Sequence, residues 1–203
     1  MTTQKRIQHI LALAVVCIGV TLVAWAEETE TPENFKLTKC EDKAEVLAEK
    51  LKSFTDDEAL QKQRIATFDE LDFDFYSNQK WDKFNHSHAD NIKVYYPDGS
   101  TTTGLFPQHI DMLTPLFVFA PDTKIKEHPI AFGRGEWTCV VGELEGTFSA
   151  PMPIGNGKTL PPTGKKFKLR MATIGKWGAD GKMTEEYLFW DNQSLLKQIG
   201  LAE

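Results

Sequence analysis

Apolar positions recur at helical spacing in the first half of the chain and at alternate positions in the second. Ala44, Leu47 and Leu51 mark one helical stretch over 41–54. Ile65, Phe68, Leu71 and Phe75 mark another. Between them, Thr55-Asp56-Asp57-Glu58 has the capping-box pattern, so a new helix is expected to begin there. The second stripe is opposed by Asp69, Glu70, Asp72 and Asp74, which read as a solvated face. A short helical piece over 78–84 adds Trp81 and Phe84.

The period then changes. Residues 92–96 and 101–104 are strand-like around the turn Pro97-Asp98-Gly99-Ser100. Residues 106–119 have a helical pattern that Pro115 should interrupt. Longer strands are predicted over 124–134, 136–148 and 166–177, with Pro129 marking an edge or a bulge. Residues 150–164, rich in Pro and Gly, read as a structureless loop and a candidate lid. The turn Ala179-Asp180-Gly181-Lys182 leads to a last strand over 183–190, then to a helix capped by Asp191 and ended by Gly200. Helices first, then a mostly antiparallel sheet, then a closing helix is an α+β order. A curved sheet wrapped around helices makes a cone whose mouth suits a small molecule.

Residues 1–26 change what the working chain is. Lys5 and Arg6 precede an apolar run from Ile10 to Val23, and Ala24-Trp25-Ala26 is a small-x-small cleavage pattern. The expectation is a signal peptide (1–26), a helical appendage (27–54, its first residues loose) and a cone domain (55–203), in a periplasmic or secreted protein with no membrane contact after cleavage. The net charge of −6 becomes −8 without Lys5 and Arg6, which disfavours nucleic acid as a partner. Cleavage also leaves two cysteines, Cys40 and Cys139, which an oxidising compartment would allow to pair.

The C-terminal part, about 55–203, resembles the SnoaL-like polyketide cyclases, or ester cyclases, of the nuclear-transport-factor-2-like superfamily. The resemblance lies in Pro97-Asp98-Gly99 with Thr103-Gly104, in Phe119-Ala120-Pro121-Asp122 and in Gly146-Thr147-Phe148. It continues in Pro161-Pro162-Thr163-Gly164-Lys165, in Asp180-Gly181-Lys182-Met183-Thr184-Glu185-Glu186 and in 190–200. It implies the cone fold, a homodimer through the open sheet face, no cofactor, and an aldol chemistry run by an aspartate on the last strand and a histidine on the strand before. Those places fall here at Leu188 and at Thr173 or Ile174, which cannot move a proton.

Other residues remain for chemistry. If Leu188 faces the pocket, alternation turns Thr184, Glu186 and Trp190 the same way. Glu186 is the nearest acid, and an apolar cone should raise its pKa into the range of a general base. His88 or His109 would assist as donor or acid/base. His86 and His88 have H-x-H spacing, but no third ligand has convincing spacing, so no metal is expected. Tyr76, Trp81, Leu188, Trp190 and Thr173 are the expected ligand-binding set. Two readings stand: acid/base work on a small hydrophobic carbonyl or ester compound, or a binding cone that has lost its chemistry.

Overall fold

Helix α1 (Pro32–Glu70) runs through Thr55 without a break. No Gly or Pro lies between residues 33 and 70 to stop it. The Thr55 hydroxyl donates backward to the Lys52 carbonyl at 2.8 Å, and Glu58 pairs forward with Lys62 at 2.7 Å. The expected cap is therefore an ordinary turn of helix. Proline is tolerated in a first turn, so the helix begins at Pro32, inside the segment expected to be loose. The structure, a computed structural model, describes residues 32–203, with side chains from residue 42. The leader and the Cys40 side chain, and with it the proposed pairing to Cys139, lie outside the described residues. The chain divides into two units, 1–48 and 49–203. Leu51 and Phe54 are exposed, so the first predicted apolar stripe is not a core face.

The second stripe is. Phe68, Leu71 and Phe75 are buried, and the helix widens into a π-helical turn over Leu71–Tyr76. A 3-10 turn follows (Trp81–His86), then β1 (His88–Tyr95) and β2 (Thr101–Thr103). A kinked turn (Leu105–His109) leads into α2 (Ile110–Phe119). Pro115 sits inside α2 without ending it; proline removes only one N–H, and the flanking turns continue. The strand expected over 124–134 is two pieces, β3 (Lys124–Ile125) and β4 (Ile130–Arg134), separated at the His128-Pro129 step; both pair with β5 (Trp137–Thr147). The loop expected over 150–164 holds a small hairpin, β6 (Met152–Pro153) with β7 (Thr159–Leu160). The strands β8 (Lys166–Trp177) and β9 (Met183–Phe189) and the helix α3 (Asn192–Gln198) complete the chain. Asp191 caps α3 as expected, accepting from Ser194 N at 3.1 Å.

The main sheet has the order β2-β1-β9-β8-β5-β3, with β4 also on β5. Its pairs are antiparallel except β1 with β9, which are parallel. The result is the expected α+β cone. Along β5 and β8 alternate residues are buried, and small residues stand opposite large ones: Gly142 opposite Met171, Gly146 opposite Phe167. This lets the helical layer approach the concave face. Gly175 on β8 lies directly under Phe68; a Cβ there would be 3.1 Å from the Phe68 ring and 2.6 Å from Met183 Sδ. Both neighbours are fully buried and have nowhere to move. The helix is fixed at its other end by Asp57, Gln61 and Arg64, which all bind the backbone of Gly135 at the β4–β5 turn.

Gly175→Ala should therefore lower stability by about 1–3 kcal/mol through overpacking, read as a shift in the denaturation midpoint at unchanged slope.

Candidate functional site

Between the helical layer and the concave face lies a cavity of about 220 Å³. Its walls are mainly apolar, with Leu71, Met112, Leu116, Leu144, Leu169 and Leu188 among them. Four ionisable groups interrupt that surface: Asp72, His88, His109 and Glu186. Each comes from a different element. His88 opens β1 directly after the 3-10 turn, His109 closes the kinked turn before α2, and Glu186 is central on β9. All three are buried.

The strand phase expected for β9 holds at Glu186, Leu188 and Trp190 but fails at Thr184. Lys176 pairs with Glu185 while Trp177 pairs with Met183, so Thr184 is an extra residue in a bulge. Its hydroxyl donates outward to the Lys176 carbonyl at 3.3 Å. Thr173 and Leu188 are register partners on β8 and β9, and both line the cavity. The two places that the resemblance assigns to the aldol pair thus face the cavity together, with no ionisable group on either.

The two histidines are held from behind. His88 Nδ1 lies 3.1 Å from the Phe84 carbonyl and 2.8 Å from Ser87 Oγ. A carbonyl can only accept, so Nδ1 carries the proton and, in the neutral ring, Nε2 offers a lone pair to the cavity. His109 Nδ1 lies 2.8 Å from the Tyr96 hydroxyl, which also reaches Thr102 Oγ1 at 3.0 Å. Burial pushes the Tyr96 phenol up to about 12, so it stays a neutral hydrogen-bonding group. The Nε2 atoms of both rings face Glu186 Oε2, at 3.8 Å from His88 and 3.4 Å from His109. Neither approach is a hydrogen bond: Glu186 Oε2 and His88 Nε2 are buried with no partner.

The electrostatics depart from the expectation for Glu186. Burial does push its carboxyl up, but the two imidazoles outweigh that and hold it below the usual carboxylate range. Burial drives His109 down to about 4, more than the Glu186 charge can restore. At neutral pH Glu186 is a charged carboxylate and His109 a neutral base.

Asp72 belongs to this site and was read from sequence as solvent-facing. The π-helical turn carries it inward beside Leu71 and Tyr76, where it is buried. Its sequence position contained the clue: it stands four residues after Phe68 and four before Tyr76, on the core side. His128 grips Asp72 Oδ2 through Nε2 at 2.8 Å and Asp69 Oδ1 through Nδ1 at 2.7 Å. The His128 side chain is buried and packs on Phe73, with ring centroids 4.7 Å apart. Burial disfavours charge on His128, but Asp72 and Asp69 more than offset it and raise the pKa. Asp72 is raised by burial, against the pull of His128.

Of the expected ligand-binding residues, Tyr76, Thr173, Leu188 and Trp190 line the cavity. Trp81 is not among the lining side chains; it packs against Tyr76, Phe84 and Phe117 at centroid distances of 6.1, 5.3 and 5.4 Å. His86 does not join His88, because it ends the 3-10 turn while His88 opens β1; it is exposed and meets Glu70 at 3.0 Å.

The sequence matches the family model for SnoaL-like polyketide cyclases over residues 68–199, well over half of its length. The chain belongs to the SnoaL-like family. Similar solved structures include a protein assigned as a SnoaL-like polyketide cyclase from Jannaschia sp. CCS1, 20% identical with TM-score 0.59, over 71% of this chain and 96% of that one. IdmH, assigned as a polyketide cyclase from Streptomyces antibioticus, is 19% identical with TM-score 0.57, over 68% of this chain and 99% of that one. A third, assigned as a polyketide cyclase from Acidithiobacillus ferrooxidans, is 16% identical with TM-score 0.55, over 71% and 96%. At these identities the likeness concerns the fold. No curated protein matches the sequence.

Folded His128 and Asp72 both bind protons more tightly than they do when unfolded, with His88, Glu186 and Asp69 the charged or titratable groups around them. The His128 contribution is complete below its unfolded pKa of about 6.5 and is lost as pH rises through the raised folded value. Asp72 acts in the same sense from the carboxyl range upward. His109, with its lowered pKa, acts in the opposite sense until the unfolded imidazole has lost its proton, so unfolding free energy should fall as pH rises from about 7.5 to about 9. His128→Asn should cost on the order of 2 kcal/mol at the acidic end and flatten the fall, measured by denaturant titration across that range.

Proposed function

We propose that the cavity of this SnoaL-like chain receives a small hydrophobic carbonyl or ester compound and works on it by acid/base chemistry centred on Glu186. One observation carries this reading: a buried carboxylate with a free oxygen facing an otherwise apolar cavity. A partner-free charge there is costly and is retained where charge is used. The two imidazoles hold the carboxylate below its usual range, so it stays ionised at neutral pH, and its free oxygen is available to take a proton from an activated C–H or a water. His88 and His109, each backed by a hydrogen bond on Nδ1, would orient it and exchange the proton with the substrate oxygen. Asp72, anchored by His128, is a second carboxyl within the same walls. Met112, exposed and also lining the cavity, marks an opening toward solvent.

A second reading has its own support. Leu188 and Thr173 occupy the aldol pair's places, so a cone that binds an apolar ligand without turning it over fits the lining too. Export is supported by the charge, apolar run and small-x-small pattern of residues 1–26. A homodimer is supported by Ile130, Phe132, Trp137 and Phe189, exposed on the sheet strands, and by the Tyr95–Tyr187 stack at 4.3 Å.

The two readings separate on a panel of small cyclic ketones and aryl esters, screened first for binding and then for product. Glu186→Gln should retain binding of the best compound and lose turnover by about 10²–10⁴-fold. Unchanged turnover in that variant would remove Glu186 from the chemistry. Tight binding with no product in the wild type over long incubation would leave the binding reading.

A further inference from the structure

We propose that His88, His109 and Glu186 form a binding site for one divalent transition-metal ion, with the apolar cavity at its open coordination position. The three ligand atoms, one from each residue, lie within 4.8 Å of one another, and all three residues are buried. Two of those atoms, His88 Nε2 and Glu186 Oε2, are buried and lack any hydrogen-bond partner although they face each other. Orphaned buried polar atoms are rare in a folded protein and call for an unseen partner. A cation satisfies both acceptors at once. His88 Nδ1–H is committed to the Phe84 carbonyl, so the ring offers a lone pair, and Glu186 offers a carboxylate oxygen. These two acceptors face each other with no donor between them, and His109 Nε2 adds a third ligand atom in the tautomer whose Nδ1–H donates to the Tyr96 hydroxyl.

The distances suit an ion. Ligands about 2.0–2.1 Å from a tetrahedral centre stand roughly 3.3 Å from each other. The present separations from Glu186 Oε2 are 3.4 Å to His109 and 3.8 Å to His88. Closing the larger of these two needs a shift of about half an ångström, and the two imidazole nitrogens, within 4.8 Å of each other, must draw together as well. Both rings also have the outer support that ligating histidines use: a backbone carbonyl on His88 Nδ1 and a hydroxyl on His109 Nδ1. Two imidazole nitrogens and one carboxylate oxygen select borderline ions such as zinc, cobalt or iron(II) over magnesium or calcium, which want oxygen alone. Three protein ligands leave a position for water or a substrate oxygen, as in catalytic rather than structural sites.

Binding of the ion does not rest on the acid/base reading given above; its use in turnover rests only on that reading's placing of a carbonyl or ester compound in the cavity, and there the ion replaces Glu186 as the group that acts on the compound. With the ion in place Glu186 is a ligand, and Asp72 is the carboxyl that remains free to take up a proton in the cavity. The ion would then polarise the carbonyl or ester oxygen.

The test is a titration of the full, tag-free chain, stripped with chelator, with zinc chloride and cobalt chloride. One ion per chain should bind, with a rise in Tm and, for cobalt, visible absorption of a four- or five-coordinate nitrogen–oxygen site. His88→Ala and Glu186→Gln should each weaken binding by at least about 100-fold, and the conservative Tyr96→Phe by about 10–100-fold. His86→Ala, at an exposed histidine away from the cavity, should leave it unchanged. If His88→Ala does not fold, Tyr96→Phe and Glu186→Gln carry the comparison. Absence of micromolar binding, or binding that survives both Glu186→Gln and Tyr96→Phe, overturns the site. Either result leaves the turnover test of Glu186→Gln standing, and a failure of that test leaves the metal titration standing.

Discussion

A carboxylate carried out of water into an apolar cavity costs several kcal/mol unless nearby groups restore what water supplied. Glu186 imposes that requirement at the centre of β9, and the surrounding architecture brings two imidazoles to it while leaving Oε2 without a hydrogen bond. The 3-10 turn and the start of β1 bring His88 to it, and the kinked turn before α2 brings His109. The Phe84 carbonyl, Ser87, Tyr96 and Thr102 then hold the two rings from outside. None of these contacts lies within one element. The cluster exists only when the helical layer, the kinked turn and the sheet are all in place, so folding and the construction of the site are one event.

The same logic repeats on the opposite wall with a different solution. Asp72 is buried by the π-helical turn, and a single histidine from the β3–β4 connection answers it. His128 bridges inward to Asp72 and outward to half-exposed Asp69, so one ring links the cavity wall to the surface. The cavity thus holds two carboxyls in opposed conditions. Glu186 sits below its ordinary range and Asp72 above it.

How far this was legible in the sequence varied with the range of the interactions involved. Strand alternation over 166–177 and the Asp191 cap are local patterns, and they read correctly. The element order and the family resemblance carried the cone. Glu186 followed from phase alone, because β9 is regular from Glu185 to Phe189 and irregular only at Thr184. Pairing was the part that a one-dimensional pattern could not carry. His86 and His88 have the spacing of two residues on one strand face, yet the strand begins only at His88, and the real neighbour of His88 is His109, from a different turn. Asp72 looked solvated because it stands in an acidic run with Asp69, Glu70 and Asp74; its four-residue spacing from Phe68 and Tyr76, on the core side, was the stronger signal. Thr55 failed as a cap because capping chemistry ends a helix only where the backbone already leaves it.

Leu188 and Thr173 show what separates fold from chemistry in this chain. They are register partners, they face the cavity, and they stand where the family's aldol chemistry places an acid and a base. Substituting both by groups that cannot carry a proton leaves the sheet intact, because Leu and Thr suit a buried strand pair as well as Asp and His do. The ionisable groups that remain are one step along the same face, at Glu186, and across on β1 and the turn before α2. A substrate placed for the family's aldol reaction would present its reacting carbon to an apolar wall. To meet Glu186 it must sit deeper, against Phe84 and the two imidazoles. On the acid/base reading, a compound that is turned over is therefore one whose reactive oxygen reaches the His88–His109–Glu186 corner.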